Sequence, residues 1–346
     1  MQNPHTQDLL LDAYSPGDYP TMEMPTLGAK NGLKLYDMKG LDFDDPAWQA
    51  LLDQLTFREM AKLIGDAYQQ TAAIGSVQAP GTFVGDLEMP IGEGFLSAAF
   101  NGELMYAIGY WAGEKAASQG ETLLRCFDSA FEDGFLVGKL RAQQAAGMYA
   151  NGVNVVMQGC NTDRWYAEQA AREHYFPAFQ YTAELIPTAG SAKGLTEILR
   201  QEWGGKGMAI GASASIEQIV DGVIVNGKWA DYGLLGRGIT IFDGEDTAVQ
   251  KELSAYENDP VIVSAMRQAC HYNLYTLANS AAMNGIGENT VVKPQALFVV
   301  RLLWGLMVLC AAAAVVCGAL LWYRGKAKWQ QTEAYQNYQA APKGIL

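Results

Sequence analysis

Apolar and polar residues change their period along this chain, from helical spacing to short continuous runs and back. Thr56-Phe57-Arg58-Glu59 is a capping box, and the helix that it begins has one apolar face and ends at Gly65. The pattern predicts a second amphipathic helix over Leu195 to Trp203. Asp259 followed by Pro260 predicts the start of a long helix that reaches about Asn279.

Three short apolar runs lie between helical segments and predict buried strands. They are Gly152 to Met157, Gly207 to Gly211 and Gly238 to Phe242. Strands that alternate with helices favour a parallel α/β fold, and about 250 residues, 41–290, suit one (β/α)8 TIM-like barrel. Periodicity alone leaves a doubly wound sheet open. In both folds the chemistry lies where strands end.

The two ends of the chain differ from this central part. Residues 1–40 are rich in turn residues, and we expect an extended lead-in or interdomain linker there. Leu302 to Tyr323 contains no charged residue and, at about 1.5 Å per residue, spans roughly 33 Å as a helix. Trp304, Trp322 and Tyr323 lie near its ends, as is typical of the membrane interface. We predict a single transmembrane helix within 296–323 and a short basic tail over 324–346.

Charges around the apolar run predict an orientation. Arg324, Lys326 and Lys328 follow it at once, so the positive-inside rule favours a cytoplasmic C-terminus and an extracellular barrel. The stretch from Met1 to Ser15 has no signal-peptide pattern. Two alternatives stay open: a tail-anchored protein with a cytosolic domain, or a piece of a longer exported protein.

Composition narrows the function classes. The chain is 49% hydrophobic and 18% charged, which is typical of a globular protein, and its net charge of -13 disfavours nucleic-acid binding. With three histidines and no CxxC pair we expect neither a metal nor a cofactor. His174 and His271 fall within predicted helices and are expected to be structural. Buried free thiols are expected at Cys126, Cys160 and Cys270.

Four stretches carry a family likeness, and they are Met38 to Thr56, Trp165 to Glu173, Leu195 to Met208 and Asn258 to Gly285. They resemble the barrel domain of glycoside hydrolase family 3, the group that contains many β-glucosidases. The likeness is to its membrane-anchored bacterial branch, in which an α/β sandwich domain precedes the barrel. The resemblance implies a TIM-like barrel and, in the family, retaining β-glycosidase chemistry.

The family's catalytic positions are substituted in this chain. The resemblance aligns the family's nucleophilic aspartate with Ala212, and its sugar-binding Lys-His pair with Met157 and Gln158. A retaining glycosidase needs a carboxylate nucleophile, which alanine does not supply. In the family the acid/base residue comes from outside the barrel, which implies a companion α/β sandwich domain on another chain. No catalytic residue is therefore assigned.

Three other positions match residues that bind the sugar in the family. Arg125, Asp86 and Asp163 are the predicted substrate-binding residues, and ordinary surface charges are the alternative for each. The resemblance predicts a degenerate, membrane-anchored β-glucosidase relative that binds a β-glucoside-like carbohydrate without hydrolysing it. One alternative is an active glycosidase in which Asp243, Glu245 or Asp246 replaces the nucleophile. Another is a truncated gene product with no function of its own.

Overall fold

The computed structural model of this protein describes residues 23–65, 70–87, 98–126, 133–157, 189–190, 200, 203–211, 224–225, 228–229, 240–242, 251, 253–292 and 298–340. The chain divides into two compact units, residues 1–294 and residues 295–346. The first unit holds the predicted α/β region, and the second holds the predicted membrane helix. Each is described by itself.

Two helices of the first unit begin where the capping pattern predicts, and the predicted helix over Leu195 to Trp203 lies almost wholly outside the described residues. The Thr56 and Glu59 side chains accept hydrogen bonds from each other's backbone N–H, at 3.3 and 3.0 Å, in front of the second helix. The Asp259 side chain accepts from the N–H groups of Val261 and Ile262 and caps the long C-terminal helix. These α-helices are α1 (Ala47–Leu52), α2 (Phe57–Gly65), α3 (Gly102–Gln119), α4 (Gly134–Tyr149) and α5 (Pro260–Ala278). Single 3-10 turns lie at Leu35–Met38, Ser254–Tyr256 and Ala281–Met283.

The described strands are mostly parallel, which confirms the α/β class. One sheet has the order β1-β2-β3-β4, a parallel pair joins β5 to β8, and an antiparallel pair joins β6 to β7. The three predicted strands are β3, β5 and β8. An eight-stranded closed ring is not established among the described residues, so the TIM-like barrel stays a prediction. The strands are β1 (Phe83–Asp86), β2 (Glu121–Cys126), β3 (Asn154–Met157), β4 (Ala189–Gly190), β5 (Ile210–Gly211), β6 (Ile224–Val225), β7 (Lys228–Trp229) and β8 (Ile241–Phe242).

The four-stranded sheet has two apolar faces, as expected of a parallel sheet covered on both sides. On one face a cluster joins β1, β2 and β3 to β5 and β8, through Val84, Leu123, Val156, Met208, Ile210 and Ile241. We call this the inner face. On the other, helix-side face, Leu124 and Val155 pack against α3 and α4. Successive strand residues therefore alternate between the two faces.

Helices α3 and α4 pack very closely because glycines line their contact. A Cβ added to Gly113 would lie 2.8 Å from Met148 Cα, and one added to Gly147 would lie 2.6 Å from Tyr110 N. Only glycine permits this approach. The close pair covers the helix-side face of β2 and β3 and thereby fixes where α3 lies against the strands.

A separate core surrounds α5. Buried residues of α1, α2 and α5 form it, and Leu35 and Met38 join it from the 3-10 turn. These two residues belong to the predicted lead-in, so the last part of that segment packs into the domain. Cys270 is a buried free thiol within this core, as predicted. Cys160 and the Cys126 side chain lie outside what the structure describes.

The second unit consists of α6 (Phe298–Gln330) and α7 (Glu333–Ala340). Leu302–Gln330 is long and apolar enough to cross a membrane, with mean hydropathy 2.3 in its most apolar stretch, no part of which is buried. The helix runs past the predicted end at residue 323 and continues through Arg324, Lys326 and Lys328. A single candidate membrane helix is thus present among the described residues, at the predicted place.

Candidate carbohydrate site

Two of the three predicted substrate-binding residues lie side by side at the carboxyl ends of neighbouring strands. Strands β1 and β2 pair in parallel, and Asp86 and Arg125 are partners in that register. Each lies two residues after an inner-face residue, Val84 or Leu123, so both belong to the inner face. The pairing brings together two residues that are far apart in the sequence. Asp163, the third predicted residue, lies outside the described part of the chain.

The two side chains form an open ion pair. Arg125 Nη1 lies 3.7 Å from Asp86 Oδ1, and the side chains are 15% and 61% exposed. This distance exceeds the usual hydrogen-bond length of about 2.7 to 3.2 Å. A small polar group placed between the two can therefore bond to both. Since exposed ion pairs contribute only about 0.2 to 1 kcal/mol, the pair adds little to folding stability.

Backbone contacts hold these strand ends together. Leu87 N–H donates to the Arg125 carbonyl at 3.0 Å, just beyond the pair. At the opposite ends of the strands, the Thr82 and Thr122 hydroxyls hydrogen-bond to each other. Gly120, with φ +81°, ends α3 in the left-handed region and lets β2 begin at the next residue. These hydrogen bonds between β1 and β2, together with the short turn from α3 into β2, thus fix the position of Arg125.

A cavity of about 520 Å³ opens beside the pair, between β1, β2 and α3. Its α3 side presents residues spaced at one helical face, and its strand side runs the length of β1. Asp86 and Arg125 line one end. The lining residues are Phe83, Val84, Gly85, Asp86, Ala112, Lys115, Ala116, Gln119, Glu121, Leu124 and Arg125. Lys115, Gln119 and Glu121 were not among the predicted site residues, although the spacing of 112, 115, 116 and 119 is that of one helix face.

The next strand ends carry the substituted family positions. Met157 ends β3, and its backbone is in register with Cys126 of β2. On the other parallel pair, Gly211 of β5 is the partner of Phe242 of β8. The residues that follow in sequence, Ala212 and Asp243, lie outside the described residues, as do Gln158, Glu245 and Asp246.

A buried polar network ties α5 to the start of β5 and to β8. The Thr276 hydroxyl accepts from Met208 N–H at 2.7 Å, and the Thr240 hydroxyl accepts from Ala209 N–H at 2.8 Å. The Asn273 amide donates to the Thr240 carbonyl at 2.7 Å. The sequence indicates this network, because Asn273 and Thr276 are polar residues among the mostly apolar buried residues of α5.

Arg200 holds the loop that leads into β5. Its Nη1 donates to the carbonyls of Gly205 and Gly207, at 2.8 and 2.6 Å, and its guanidinium lies over the Tyr272 ring at 3.7 Å. Burial lowers the Arg200 pKa to about 10, so the group stays protonated at neutral pH. This residue is part of the Leu195 to Met208 stretch that carries the family resemblance, and here it acts on backbone carbonyls.

His271 lies in the α5 core. Its ring stacks on Phe43 with centroids 4.0 Å apart, and the residue is 7% exposed. Burial lowers its pKa to about 4, so the imidazole is neutral at pH 7. This packing fits the structural role expected of it, and His174 lies outside the described residues. Among the residues that the structure describes, no group of three or more His, Cys, Asp or Glu side chains could hold a metal ion.

Comparison with known proteins finds similarity to β-glucosidases. No protein-family model matches the chain. A probable β-glucosidase I of Emericella nidulans is 27% identical over 33% of this chain and 18% of its own length. The chain therefore spans a small part of that relative.

Solved structures give a longer likeness. β-Glucosidase 3B of Thermotoga neapolitana, in complex with α-D-glucose, matches 69% of this chain and 43% of its own, with TM-score 0.57 and 17% identity. The glycoside hydrolase family 3 β-glucosidase of Bifidobacterium adolescentis matches 70% and 42%, with TM-score 0.54 and 17% identity. A β-glucosidase of Paenibacillus barengoltzii matches 85% and 39%, with TM-score 0.57 and 15% identity. In each case the chain covers less than half of the relative. Sequence and fold together relate this chain to the β-glucosidases of glycoside hydrolase family 3.

Proposed function

We propose that this protein is a membrane-anchored relative of the β-glucosidases that binds a β-glucoside-like carbohydrate without hydrolysing it. The observation that carries the proposal is the Asp86–Arg125 pair at the carboxyl ends of adjacent parallel strands. Sites in α/β folds form at this edge of the sheet. One of the similar structures, the β-glucosidase of Thermotoga neapolitana, is a complex with α-D-glucose.

The pair suits neighbouring sugar hydroxyls. The Asp86 carboxylate only accepts hydrogen bonds, the Arg125 guanidinium only donates them, and a hydroxyl does both. A hydroxyl between the two groups can donate to Asp86 and accept from Arg125 across their 3.7 Å separation. Such hydrogen bonds to ionised groups are shorter and stronger than neutral ones. The open geometry of the pair therefore favours a polyhydroxylated ligand.

Loss of hydrolysis follows from residue chemistry at the aligned positions. Retaining glycosidases use two carboxyl groups about 5 to 5.5 Å apart, one of them a nucleophile. Alanine at position 212 has no atom that can attack a sugar, and methionine at position 157 cannot supply a charged donor. Binding and hydrolysis are thus separable in this proposal, because Asp86 and Arg125 can bond to hydroxyls without a nucleophile beside them.

Calorimetry on the full chain in lipid nanodiscs, titrated with glucose and methyl β-glucoside, tests the binding proposal. We expect saturable binding that falls at least about tenfold in Asp86→Asn and in Arg125→Met, because each change removes a charge-assisted hydrogen bond. Asp44→Asn is the matched control, since Asp44 forms an equally long, exposed ion pair with Lys206 at 3.9 Å. Asp163→Asn tests the third predicted residue. Absence of sugar binding in the unaltered chain, or equal losses in Asp44→Asn, would refute the proposal.

A second candidate function is hydrolysis by a replacement carboxylate. It is favoured by the β5–β8 register, because Gly211 and Phe242 are partners and the next residues in sequence are Ala212 and Asp243. Turnover of an aryl β-glucoside well above the buffer rate, abolished by Asp243→Asn, Glu245→Gln or Asp246→Asn, would establish it. Our proposal predicts turnover at the buffer rate for all four proteins.

The remaining architecture is part of the same proposal. We place a closed (β/α)8 barrel over 41–290, supported by the inner-face cluster that joins residues of both parallel groups. The membrane helix anchors it with a cytoplasmic tail and an extracellular barrel, supported by the basic residues Arg324, Lys326 and Lys328. Protease added to intact cells would then cleave the barrel and spare an epitope attached after Leu346. The companion α/β sandwich domain is the proposed protein partner.

A further inference from the structure

Helix α6 continues beyond its apolar run by a length that matches the headgroup layer of a bilayer. Leu302 to Tyr323 spans roughly 33 Å, close to the hydrocarbon thickness of about 30 Å, and the residues up to Gln330 add about 10 Å. A bilayer with its headgroups is about 40 to 45 Å thick, so each headgroup layer is roughly 5 to 8 Å deep. When α6 crosses a bilayer, its last turns therefore lie among the headgroups.

These last turns are basic, although the chain as a whole has a net charge of -13. Arg324, Lys326 and Lys328 are all exposed there, and Glu333 is the one acidic side chain in the rest of the sequence. Lys326 lies over the Trp322 ring, 5.2 Å from its centroid and one turn further along the helix. Arg324 and Lys328 are one turn apart on another side of α6. Basic side chains thus surround α6 at the depth of the lipid phosphates, which bind such groups by charge-assisted hydrogen bonds.

The chain bends sharply between α6 and α7. The Trp329 ring lies against two tyrosines of α7, with centroids 5.1 Å from Tyr335 and 6.3 Å from Tyr338. In one continuous helix, residues nine apart would be about 13.5 Å apart along the axis, so α7 packs against the end of α6 and does not continue it. The Thr332 hydroxyl donates to the Trp329 carbonyl at 2.6 Å within this bend. We call Trp329, Tyr335 and Tyr338 the aromatic elbow.

Helix α7 is too short to be stable in water by itself. It has 8 residues, and isolated helices shorter than about 12 residues are marginal in water. Its tyrosines lie against Trp329, yet the Tyr338 side chain is still 72% exposed. Tyrosine and tryptophan combine an apolar ring with a hydrogen-bonding group and are enriched where membrane meets water. A headgroup layer supplies both kinds of contact to the exposed part of the elbow.

We propose that residues 324–340 bind the surface of a bilayer that contains anionic phospholipids. Arg324, Lys326 and Lys328 contact the lipid phosphates, and the aromatic elbow holds α7 along the headgroup layer. This inference rests on the membrane span of the proposed function and is independent of carbohydrate binding. A protein partner for α7 is the alternative that the test separates from lipid.

Hydrogen exchange of the backbone amides of residues 331–340, measured by mass spectrometry on the full chain in nanodiscs, tests the inference. Discs of phosphatidylcholine are compared with discs that also contain phosphatidylglycerol. We expect exchange at least about tenfold slower in the anionic discs, because each basic residue near an anionic surface strengthens binding about fivefold. The difference should disappear at about 1 M salt, where the screening length is about 3 Å.

Three variants separate charge from structure. Lys326→Gln is expected to reduce the protection in anionic discs about fivefold, whereas Lys326→Arg keeps the charge and should retain it. Trp329→Ala should make exchange fast in both kinds of disc, because α7 then loses the elbow. Lys139→Gln is the matched control: Lys139 lies over Phe135, four residues earlier, at 5.7 Å, as Lys326 lies over Trp322, but it belongs to the first unit.

Equal exchange in neutral and anionic discs, or equal effects of Lys326→Gln and Lys139→Gln, would overturn lipid binding and leave the membrane span and the carbohydrate site in place. Exchange that slows only when a protein extract of the cell is added would assign α7 to a protein partner and would also overturn it. If the full chain does not enter nanodiscs, the membrane span fails and the inference fails with it.

Discussion

Replacing Thr276 with valine should destabilise the domain, because the change leaves one buried hydrogen-bond donor without an acceptor. Thr276 is fully buried, and its hydroxyl accepts from Met208 N–H at 2.7 Å and donates to the Tyr272 carbonyl at 3.0 Å. Valine keeps the branched shape and similar helix propensity, so it opens little space. What changes is that Met208 N–H, also fully buried, loses its acceptor.

The expected loss in the free energy of unfolding follows from the Met208 N–H group that has lost its acceptor. Leaving a buried donor unsatisfied costs about 1 to 3 kcal/mol. For a domain of this size each kcal/mol lowers Tm by roughly 2 to 4 °C. Thr290 provides the matched control, because its hydroxyl also accepts a backbone N–H, from Gly287 at 3.1 Å, and donates to a carbonyl, of Gly285 at 3.3 Å. Thr290 is only half-buried and its bond to Gly285 is exposed, so water can replace its hydroxyl and Thr290→Val should cost less than Thr276→Val, by our expectation no more than about 0.5 kcal/mol.

Urea unfolding of the full chain in nanodiscs, followed by tryptophan fluorescence, measures both variants. We expect the midpoint of Thr276→Val to fall well below that of Thr290→Val with the same dependence on urea. Equal midpoints, or a loss below about 0.5 kcal/mol for Thr276→Val, would refute the network as the tie between α5 and β5. The result bears on the site, because β5 leads directly to position 212.

Three further measurements follow from the structure. Because burial lowers the His271 pKa from 6.5 to about 4, the unfolded chain takes up a proton that the folded chain does not, and the free energy of unfolding falls as the pH drops from 6.5 to 4. Between pH 7.5 and 4.5, His271→Phe should therefore lose about 2 to 3 kcal/mol less of this free energy than the unaltered chain, and parallel pH profiles would contradict this. Gly113→Ala should be less stable than Gly102→Ala by about 1 to 3 kcal/mol in urea unfolding, because the new Cβ at position 113 would lie 2.8 Å from Met148 Cα, whereas the new Cβ at position 102 would have its nearest neighbour at 3.4 Å. Equal stability of the two variants would mean that α3 and α4 can separate. Leu309→Arg should release more of the chain from membranes in an alkaline wash than Leu309→Ile, because arginine at the centre of a membrane helix costs about 2.5 to 3.5 kcal/mol; equal retention would contradict a membrane span.

Local sequence patterns anticipated the elements well where capping and periodicity act within one segment. The caps at Thr56 and Asp259 are present, and the predicted strands at residues 152–157, 207–211 and 238–242 contain β3, β5 and β8. The strands are shorter than the apolar runs, because only the residues that pair with a neighbour form a ladder. The candidate membrane helix is longer than its apolar run, since Arg324 to Gln330 contains no proline to end it.

The site was predicted only in part. The family resemblance selected Asp86 and Arg125, and the parallel register makes them partners. It did not select Lys115, Gln119 or Glu121, because the cavity that they line arises from the contact of α3 with two strands and no single segment carries its pattern. The network of Thr240, Asn273 and Thr276 has the same origin, as its members meet only across the packed core.

By itself, the sequence determined the features that depend on neighbouring residues: helix caps, strand runs, an apolar segment long enough for a bilayer, and the absence of a carboxylate at position 212. Tertiary structure decided which of these residues meet. A hydrogen-bonded strand register sets the 3.7 Å between Arg125 and Asp86, and the close glycine contact of α3 with α4 sets the cavity beside them. These are contacts between distant segments, and local periodicity does not encode the separation of residues that meet only when the core is packed.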